Sequence, residues 1–314
     1  MAPNLVTLVG FAWPLVNFLL FIIYAPTLTE ISSSPLGELF DHGCDAINAS
    51  VTTLVVTALL RLGPTDPSAL FMLTISCIMF FTATLEEYHT HTLALGVING
   101  PTEGILIMIA LAFSAAAFST DIWLMPANEV FGTSFAILDG VLLNQLVVFA
   151  ELPIALSTVF TNLSACVRKP KHGTVSAATL AANLFPCLYL FALAWAWFFF
   201  SPGRILASAP WITLTSIGLL SAYLVGRLIT AHLLLMDFPV VHTALALPTL
   251  AVANSALAHF GLLPAPPVDE LTAAYALLAA SVILYTHFAH DVISGFTTHL
   301  GINVLSIPYP PKTK

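Results

Sequence analysis

Long apolar stretches alternate with short polar connections along the whole chain. About nine of them are long enough to cross a bilayer as α-helices, since a span needs roughly 20 apolar residues. These stretches cover residues 5–25, 36–61, 67–86, 104–122, 136–161, 175–200, 209–234, 239–261 and 270–296. The connections contain turn-forming residues, as in Gly63-Pro64 and Ser201-Pro202-Gly203. This pattern predicts an all-α integral membrane protein, a polytopic helical bundle of about nine spans in a single membrane-embedded domain over residues 1–314.

Composition supports this class and excludes others. Of the 314 residues, 58% are hydrophobic and only 8% are charged, with a mean hydropathy of +0.95. A soluble domain carries roughly 25% charged residues. The net charge is −8 and the eight basic residues form no basic face, so the chain is not expected to bind nucleic acid. The four cysteines have no paired spacing and are interpreted as packing residues.

Basic residues predict the orientation of the bundle. Arg168, Lys169 and Lys171 lie in one connection, and Lys312 and Lys314 lie at the end of the chain. Connections rich in lysine and arginine face the cytosol. Four predicted spans separate the two basic segments, an even number, so both segments are expected on the cytosolic side. Counting backwards, the start of the 36–61 stretch is expected to face the cytosol as well.

A polar cluster opens the second apolar stretch. Gly37, Asp41 and Asp45 are spaced four apart, so a helix would place all three on one face. Two carboxylates one turn apart suit a hard divalent cation, and His42, next to Asp41, is a residue type whose unperturbed pKa is near neutrality. The alternative is a helix start whose acids complement the helix dipole. A position at the edge of a membrane span favours the functional interpretation, because charges there are costly.

A second group of polar residues follows one hairpin later. Residues 86–91 read Glu-Glu-Tyr-His-Thr-His and are expected to form an interfacial loop on the same side of the membrane. Glu103 opens a later span, where its carboxylate could orient His42 and raise its basicity. Isolated polar residues inside the apolar stretches, such as Glu151 and Asn183, are expected to form hydrogen bonds between helices.

These segments carry a resemblance to a known family. Residues 33–45, Ser-Ser-Pro-Leu-Gly-Glu-Leu-Phe-Asp-His-Gly-Cys-Asp, resemble the motif of the CDP-alcohol phosphotransferases, also called CDP-alcohol phosphatidyltransferases, in their eukaryotic choline/ethanolamine branch. Residues 2–7, 99–104, 226–232 and 305–310 are similar to other segments of that branch. The resemblance covers nearly the whole chain.

The resemblance implies an enzyme of phospholipid biosynthesis. It would transfer phosphocholine or phosphoethanolamine from CDP-choline or CDP-ethanolamine to diacylglycerol, giving phosphatidylcholine or phosphatidylethanolamine and CMP. Family members bind Mg²⁺ or Mn²⁺ with four aspartates, and Asp41 and Asp45 match the last two. His42 matches the base and Glu103 its partner. Asn4 matches a residue near the nucleotide, and Gly37 is the motif glycine of the same site.

The resemblance also implies a membrane location and binding partners. An enzyme of this branch is expected in the endoplasmic reticulum or Golgi membrane, multi-pass, with its active site facing the cytosol. Its expected partners are the lipid bilayer, its two substrates and a second copy in a homodimer.

The chain departs from the family motif in one place. The motif reads D-x-x-D-G-x-x-A-R, eight residues, then G-x-x-x-D-x-x-x-D. The positions expected for its first half are occupied by Leu20, Ile23, Tyr24, Thr27 and Leu28, none of which matches. We therefore expect an internal deletion near residues 26–35, one span fewer than the family fold, and impaired catalysis. The alternative is a non-catalytic membrane isoform that binds lipid or a full-length family member.

Overall fold

Helices make up nearly all of the regular structure. The structure is a computed structural model that describes residues 35–63, 66–92, 104–171 and 173–301. Its α-helices, numbered in chain order, are α1 Pro35–Leu59, α2 Ser68–Thr90, α3 Ile105–Phe118, α4 Ala127–Phe131, α5 Leu143–Arg168, α6 Ala177–Phe200, α7 Ile205–Ser208, α8 Pro210–Leu233, α9 Ala246–His259 and α10 Glu270–Leu300. Within those ranges there is no strand, only an isolated bridge between Pro126 and Leu142.

Five helices are long and apolar enough to cross a membrane: α2, α5, α6, α8 and α10. They overlap the stretches predicted at 67–86, 136–161, 175–200, 209–234 and 270–296, although α5 begins and ends seven residues later than predicted. An all-α membrane protein is therefore confirmed. The predicted stretch at 36–61 also forms a helix, α1. Because its first turns are polar, it is not among the five helices that are apolar enough to cross a membrane. The stretch predicted at 5–25 lies outside the described residues.

Two predicted spans are shorter than expected. Helices α3 and α9 have 14 residues each, about 21 Å at 1.5 Å per residue, against a hydrocarbon thickness of about 30 Å. After α3 the backbone turns at Ser119, with φ 67°, into a 3-10 helix. Before α9 the backbone is extended at His242 and forms a 3-10 helix over Thr243–Leu245. The count of about nine full-length spans is therefore not reached in the described ranges, because hydropathy measures apolar content and not the continuity of a helix.

The chain divides into two units, Asp41–Phe288 and the terminal residues 1–40 and 289–314. The contacts between helices that position the polar cluster lie within the unit Asp41–Phe288. The single domain over residues 1–314 stays a prediction.

Hydrogen bonds fix the direction of α5 within Asp41–Phe288. The side-chain amide of Asn144, at the start of α5, donates to the carbonyl of Leu60 just after α1, at 3.1 Å. The amide of Lys171, just after α5, donates to the carbonyl of His89 near the end of α2, at 2.9 Å. Helix α5 therefore runs parallel to α2. Since α3 connects the two, and Asp121 just after α3 pairs with Arg61, α3 runs in the opposite direction.

The remaining helices alternate in the same way. The hydroxyl of Tyr88 donates to the carbonyl of Met236, which follows α8, at 3.0 Å. Ser201, which follows α6, donates to Glu270 at the start of α10, at 2.8 Å. We call the two ends of this unit the His42 end, which holds Tyr88, and the Arg61 end, which holds Glu270. Helices α1, α3, α6 and α9 run towards the Arg61 end, and α2, α5, α8 and α10 run towards the His42 end.

Helix α8 lies at the centre of the unit. Of its apolar window 72% is buried, against 17% for α5 and for α10. The α1 and α8 backbones approach closely at Gly218, where an added Cβ would lie 2.8 Å from the Ser50 Cβ. The Ser50 hydroxyl donates to the carbonyl of Gly218 at 3.3 Å. This contact holds α1, and with it the polar cluster at its start, against the core.

Candidate functional site

Helix α1 positions the polar cluster that the sequence singles out. Asp41, His42 and Asp45 all lie in its helical backbone, as the four-residue spacing predicted. Asp41 is exposed, while His42 and Asp45 are half-buried. Gly37 lies in the first turn of the same helix and belongs to the terminal unit.

His42 meets a carboxylate from a different helix. Its Nδ1 lies 3.1 Å from Oε2 of Glu87, and the two side chains are only 15% and 12% exposed. Glu87 belongs to the segment expected to form an interfacial loop. That expectation is wrong, because α2 continues as a helix through Thr90. The helix persists because its polar side chains find partners on neighbouring elements, so burying them leaves few groups unpaired.

The neighbours of Glu87 illustrate this pairing. Glu86 is 5% exposed, and the amide nitrogen of Asn162 on α5 donates to its Oε2 at 3.2 Å, in the amide orientation that satisfies the hydrogen-bond network. Nε2 of His89 lies 3.1 Å from the amide nitrogen of Asn183 on α6. Hydrogen bonding between helices is thus confirmed for Asn183. It is also confirmed for Glu151, which accepts from Ser76 at 3.3 Å.

A third helix contacts the cluster from the other side. The hydroxyl of Tyr285 on α10 donates to the carbonyl of Gly43 at 3.4 Å. Cys44, beside Gly43, is exposed. The segment from Asp41 to Asp45 is therefore contacted by α2 through Glu87 and by α10 through Tyr285.

Of the four aspartates that the family resemblance implies for the metal site, two lie on α1. Asp41 and Asp45 offer two carboxylates on one helix face. Within the described ranges, no group of three or more histidine, cysteine, aspartate or glutamate residues is arranged to hold a metal ion. The residues present there do not by themselves fit a complete Mg²⁺ or Mn²⁺ site. Asn4 and Glu103, two further predicted site residues, lie outside the described residues.

Comparison with known proteins decides the family. No family model matches the chain. It is 32% identical to choline/ethanolaminephosphotransferase 2 of Arabidopsis thaliana over 347 residues, which cover 96% of this chain and 86% of the relative. It is 27% identical to cholinephosphotransferase 1 of Saccharomyces cerevisiae, covering 99% of this chain and 88% of the relative. An uncharacterised CDP-alcohol phosphatidyltransferase class-I family protein of Dictyostelium discoideum is also 27% identical. The chain belongs to the choline/ethanolaminephosphotransferase branch of the CDP-alcohol phosphatidyltransferases. The resemblance drawn from its motifs is confirmed.

Two residues at the site of this phosphotransferase family member lie outside its motifs. Glu87 lies 45 positions after His42, and Tyr285 lies in an apolar stretch with no surrounding motif. The one available signal for Glu87 is its place in the polar run at residues 86–91, on the side of the membrane predicted to face the first cluster. For Tyr285 the sequence offers no signal, since its contact depends on how α10 packs against α1.

Proposed function

We propose that this chain catalyses the reaction of its branch. It transfers phosphocholine or phosphoethanolamine from CDP-choline or CDP-ethanolamine to diacylglycerol, producing phosphatidylcholine or phosphatidylethanolamine and CMP. The observation that carries the proposal is the half-buried His42 between Asp41 and Asp45 on α1, in a chain 32% identical to a choline/ethanolaminephosphotransferase along nearly its whole length.

His42 acts as the general base. It accepts the proton of the diacylglycerol hydroxyl, whose oxygen attacks the phosphorus that carries choline or ethanolamine. A new P–O bond forms, the bridging P–O bond of the diphosphate breaks, and CMP leaves with that bond's electron pair. A positioned base contributes roughly 10²–10⁴-fold to such a step. Glu103 supports His42, and Asn4 and Gly37 contact the CDP-alcohol.

The site faces the cytosol, where the soluble CDP-alcohols are. Supporting this, the backbone of Lys171 bonds to His89, so the basic segment Arg168 to Lys171 lies at the His42 end. Arginine and lysine concentrate on the cytosolic side of membrane proteins. Diacylglycerol reaches the same end from within the bilayer, in the endoplasmic reticulum or Golgi membrane.

Turnover by this chain is reduced because half of the metal motif is missing. Asp41 and Asp45 are two of the four aspartates implied by the family. The length of the alignment supports positions missing from this chain, and the departure from the family motif is the ground for proposing a deletion near residues 26–35. The alignment with the A. thaliana relative extends over 347 positions, whereas 96% of 314 residues is about 301, so about 46 aligned positions have no counterpart in this chain. That length suits one helix with its connections.

A non-catalytic role is the second candidate. The incomplete set of metal ligands among the described residues favours it. In that case the chain binds lipid or a full-length family member without turnover.

A complementation assay tests the proposal. Membranes from cells lacking endogenous choline and ethanolamine phosphotransferases receive either this chain or a restored version. The restored version carries the unmatched segment of the A. thaliana relative between Glu30 and Ser32. With labelled CDP-choline, diacylglycerol and Mg²⁺, we expect weak turnover by the chain and strong turnover by the restored version. Asp41→Asn in the restored version should abolish turnover, and Glu129→Gln, at an exposed acid elsewhere, should not.

Each outcome has a clear meaning. No turnover by the correctly inserted chain, beside strong turnover by the restored version, would contradict catalysis by this chain and favour the non-catalytic role. No turnover by either version would contradict the proposed reaction. Equal turnover by the two versions would contradict the impairment while leaving the reaction in place.

A further inference from the structure

The contact between His42 and Glu87 joins two helices through side chains that are mostly removed from solvent. Nδ1 and Oε2 are 3.1 Å apart, and the exposed fractions are 15% and 12%. A carboxylate buried to this extent is costly unless it accepts a hydrogen bond. The neighbouring acid Glu86 instead faces Asn162 on α5. Of the two adjacent acids, Glu87 is the one that serves His42.

The backbone that carries Glu87 is fixed on both sides. The hydroxyl of the next residue, Tyr88, donates to the carbonyl of Met236 at 3.0 Å and accepts from the amide of Phe238 at 3.2 Å. His89 contacts Asn183, and its carbonyl accepts from Lys171. These bonds to three other segments hold the end of α2 in place. The Glu87 carboxylate is therefore presented to His42 from a fixed support.

A carboxylate at Nδ1 selects one form of the imidazole. An ionised carboxylate only accepts hydrogen bonds, so Nδ1 must carry the proton and donate it to Oε2. In the neutral ring the lone pair is then on Nε2. We propose that Glu87 is a positioning residue that holds His42 in this tautomer, so that Nε2 is the atom that accepts the proton of diacylglycerol. This inference rests on the proposed function, in which His42 is the base. It gives Nδ1 to Glu87 and Nε2 to the substrate hydroxyl, so Glu103 supports the base without a hydrogen bond to its ring nitrogens.

Nitrogen-15 NMR of the histidine rings tests the positioning directly on the chain as it is. The protein is labelled at its histidine ring nitrogens and studied in lipid nanodiscs at about pH 8, above the usual histidine pKa of about 6.5. The His42 signals are those lost in His42→Asn. We expect a protonated Nδ1 and an unprotonated Nε2 in the unmodified chain, and a mixture of the two tautomers in Glu87→Leu.

Two variants control this measurement. Glu87→Gln can accept from Nδ1–H or donate to an unprotonated Nδ1, so it should admit some of the second tautomer, and Glu86→Gln, at the neighbouring acid, should leave the His42 signals unchanged. If Glu87→Leu does not fold, Glu87→Ala is read in the same way. A proton on Nε2 in the unmodified chain, or identical His42 signals with and without the Glu87 carboxylate, would overturn the proposal.

Kinetics separates positioning from mere structural support. In the restored version, Glu87→Leu should lower kcat roughly 10–100-fold, within the range of general-base contributions, with the KM for CDP-choline unchanged. Glu87→Gln should recover part of kcat, since its oxygen can still accept from Nδ1–H. An unchanged kcat in Glu87→Leu would refute the positioning role while leaving the proposed function intact. The expected tautomer together with no turnover by the restored version would refute the proposed function instead.

Discussion

A buried carboxylate at the Arg61 end joins three segments of the chain, and its removal should be severe. Glu270 begins α10 and is 7% exposed. It accepts hydrogen bonds from the Ser201 hydroxyl at 2.8 Å, from the Gly203 amide at 2.7 Å and from the Ser255 hydroxyl of α9. Glu270→Ala removes the acceptor of all three donors at once.

The three hydrogen bonds to Glu270 determine how much the free energy of unfolding falls. A buried donor left without its partner costs about 1–3 kcal/mol. Gly203 is exposed, so water replaces its bond at little cost. The Ser201 and Ser255 hydroxyls are buried, at 8% and 0% exposure. We therefore expect Glu270→Ala to lower the free energy of unfolding by about 3 kcal/mol, roughly a hundredfold in the folding equilibrium.

The change in the free energy of unfolding is measured in mixed micelles, by raising the fraction of a denaturing detergent until the protein unfolds. Tryptophan fluorescence is a suitable signal, since Trp197 is 1% exposed and its indole donates to the Ser255 hydroxyl at 3.0 Å. The matched control is Asp269→Ala, which removes the neighbouring acid, whose bonds to Thr272 lie at the surface. Asp269→Ala should lower the free energy of unfolding clearly less than Glu270→Ala does. A Glu270→Ala variant as stable as the unmodified chain would refute the reasoning.

Two further predictions concern packing and pH. Gly226→Ala on α8 places a Cβ 2.6 Å from the Phe288 ring of α10, so we expect a loss of about 1–3 kcal/mol by overpacking, partly recovered by Phe288→Leu. An unchanged unfolding midpoint would contradict that contact. Hydrogen bonds from the backbone and the hydroxyl of Thr272 lower the pKa of Asp269. Its contribution to stability is therefore present above the unfolded-state pKa and lost as pH falls through the folded-state pKa. Asp269→Asn should make the free energy of unfolding depend less on pH in the acidic range. Identical pH profiles for Asp269→Asn and the unmodified chain would refute this contribution of Asp269.

Hydropathy predicted the long helices well because it reports what the membrane requires of them. Five predicted stretches appear as long apolar helices. It overestimated α3 and α9, since apolar side chains continue where the backbone does not stay helical. Ser119 after α3 and the extended His242 before α9 are backbone features that an apolar window does not detect.

The candidate site was predictable where it is local and not where it is assembled by packing. Spacing along one helix placed Asp41 and Asp45 together, with His42 between them, and α1 has that form. Glu87 reaches His42 only because α1 and α2 run in opposite directions with a particular register. A linear motif contains no information on that register. The polar run at residues 86–91 was therefore noticed, but its partner was not assigned.

We propose that α1 carries the base of a CDP-alcohol phosphotransferase. The direct test is the formation of labelled phosphatidylcholine or phosphatidylethanolamine by the restored version, with and without His42→Asn. We expect product that depends on diacylglycerol and is lost in His42→Asn. Absence of product, or product formation that continues at the same rate in His42→Asn, would contradict it.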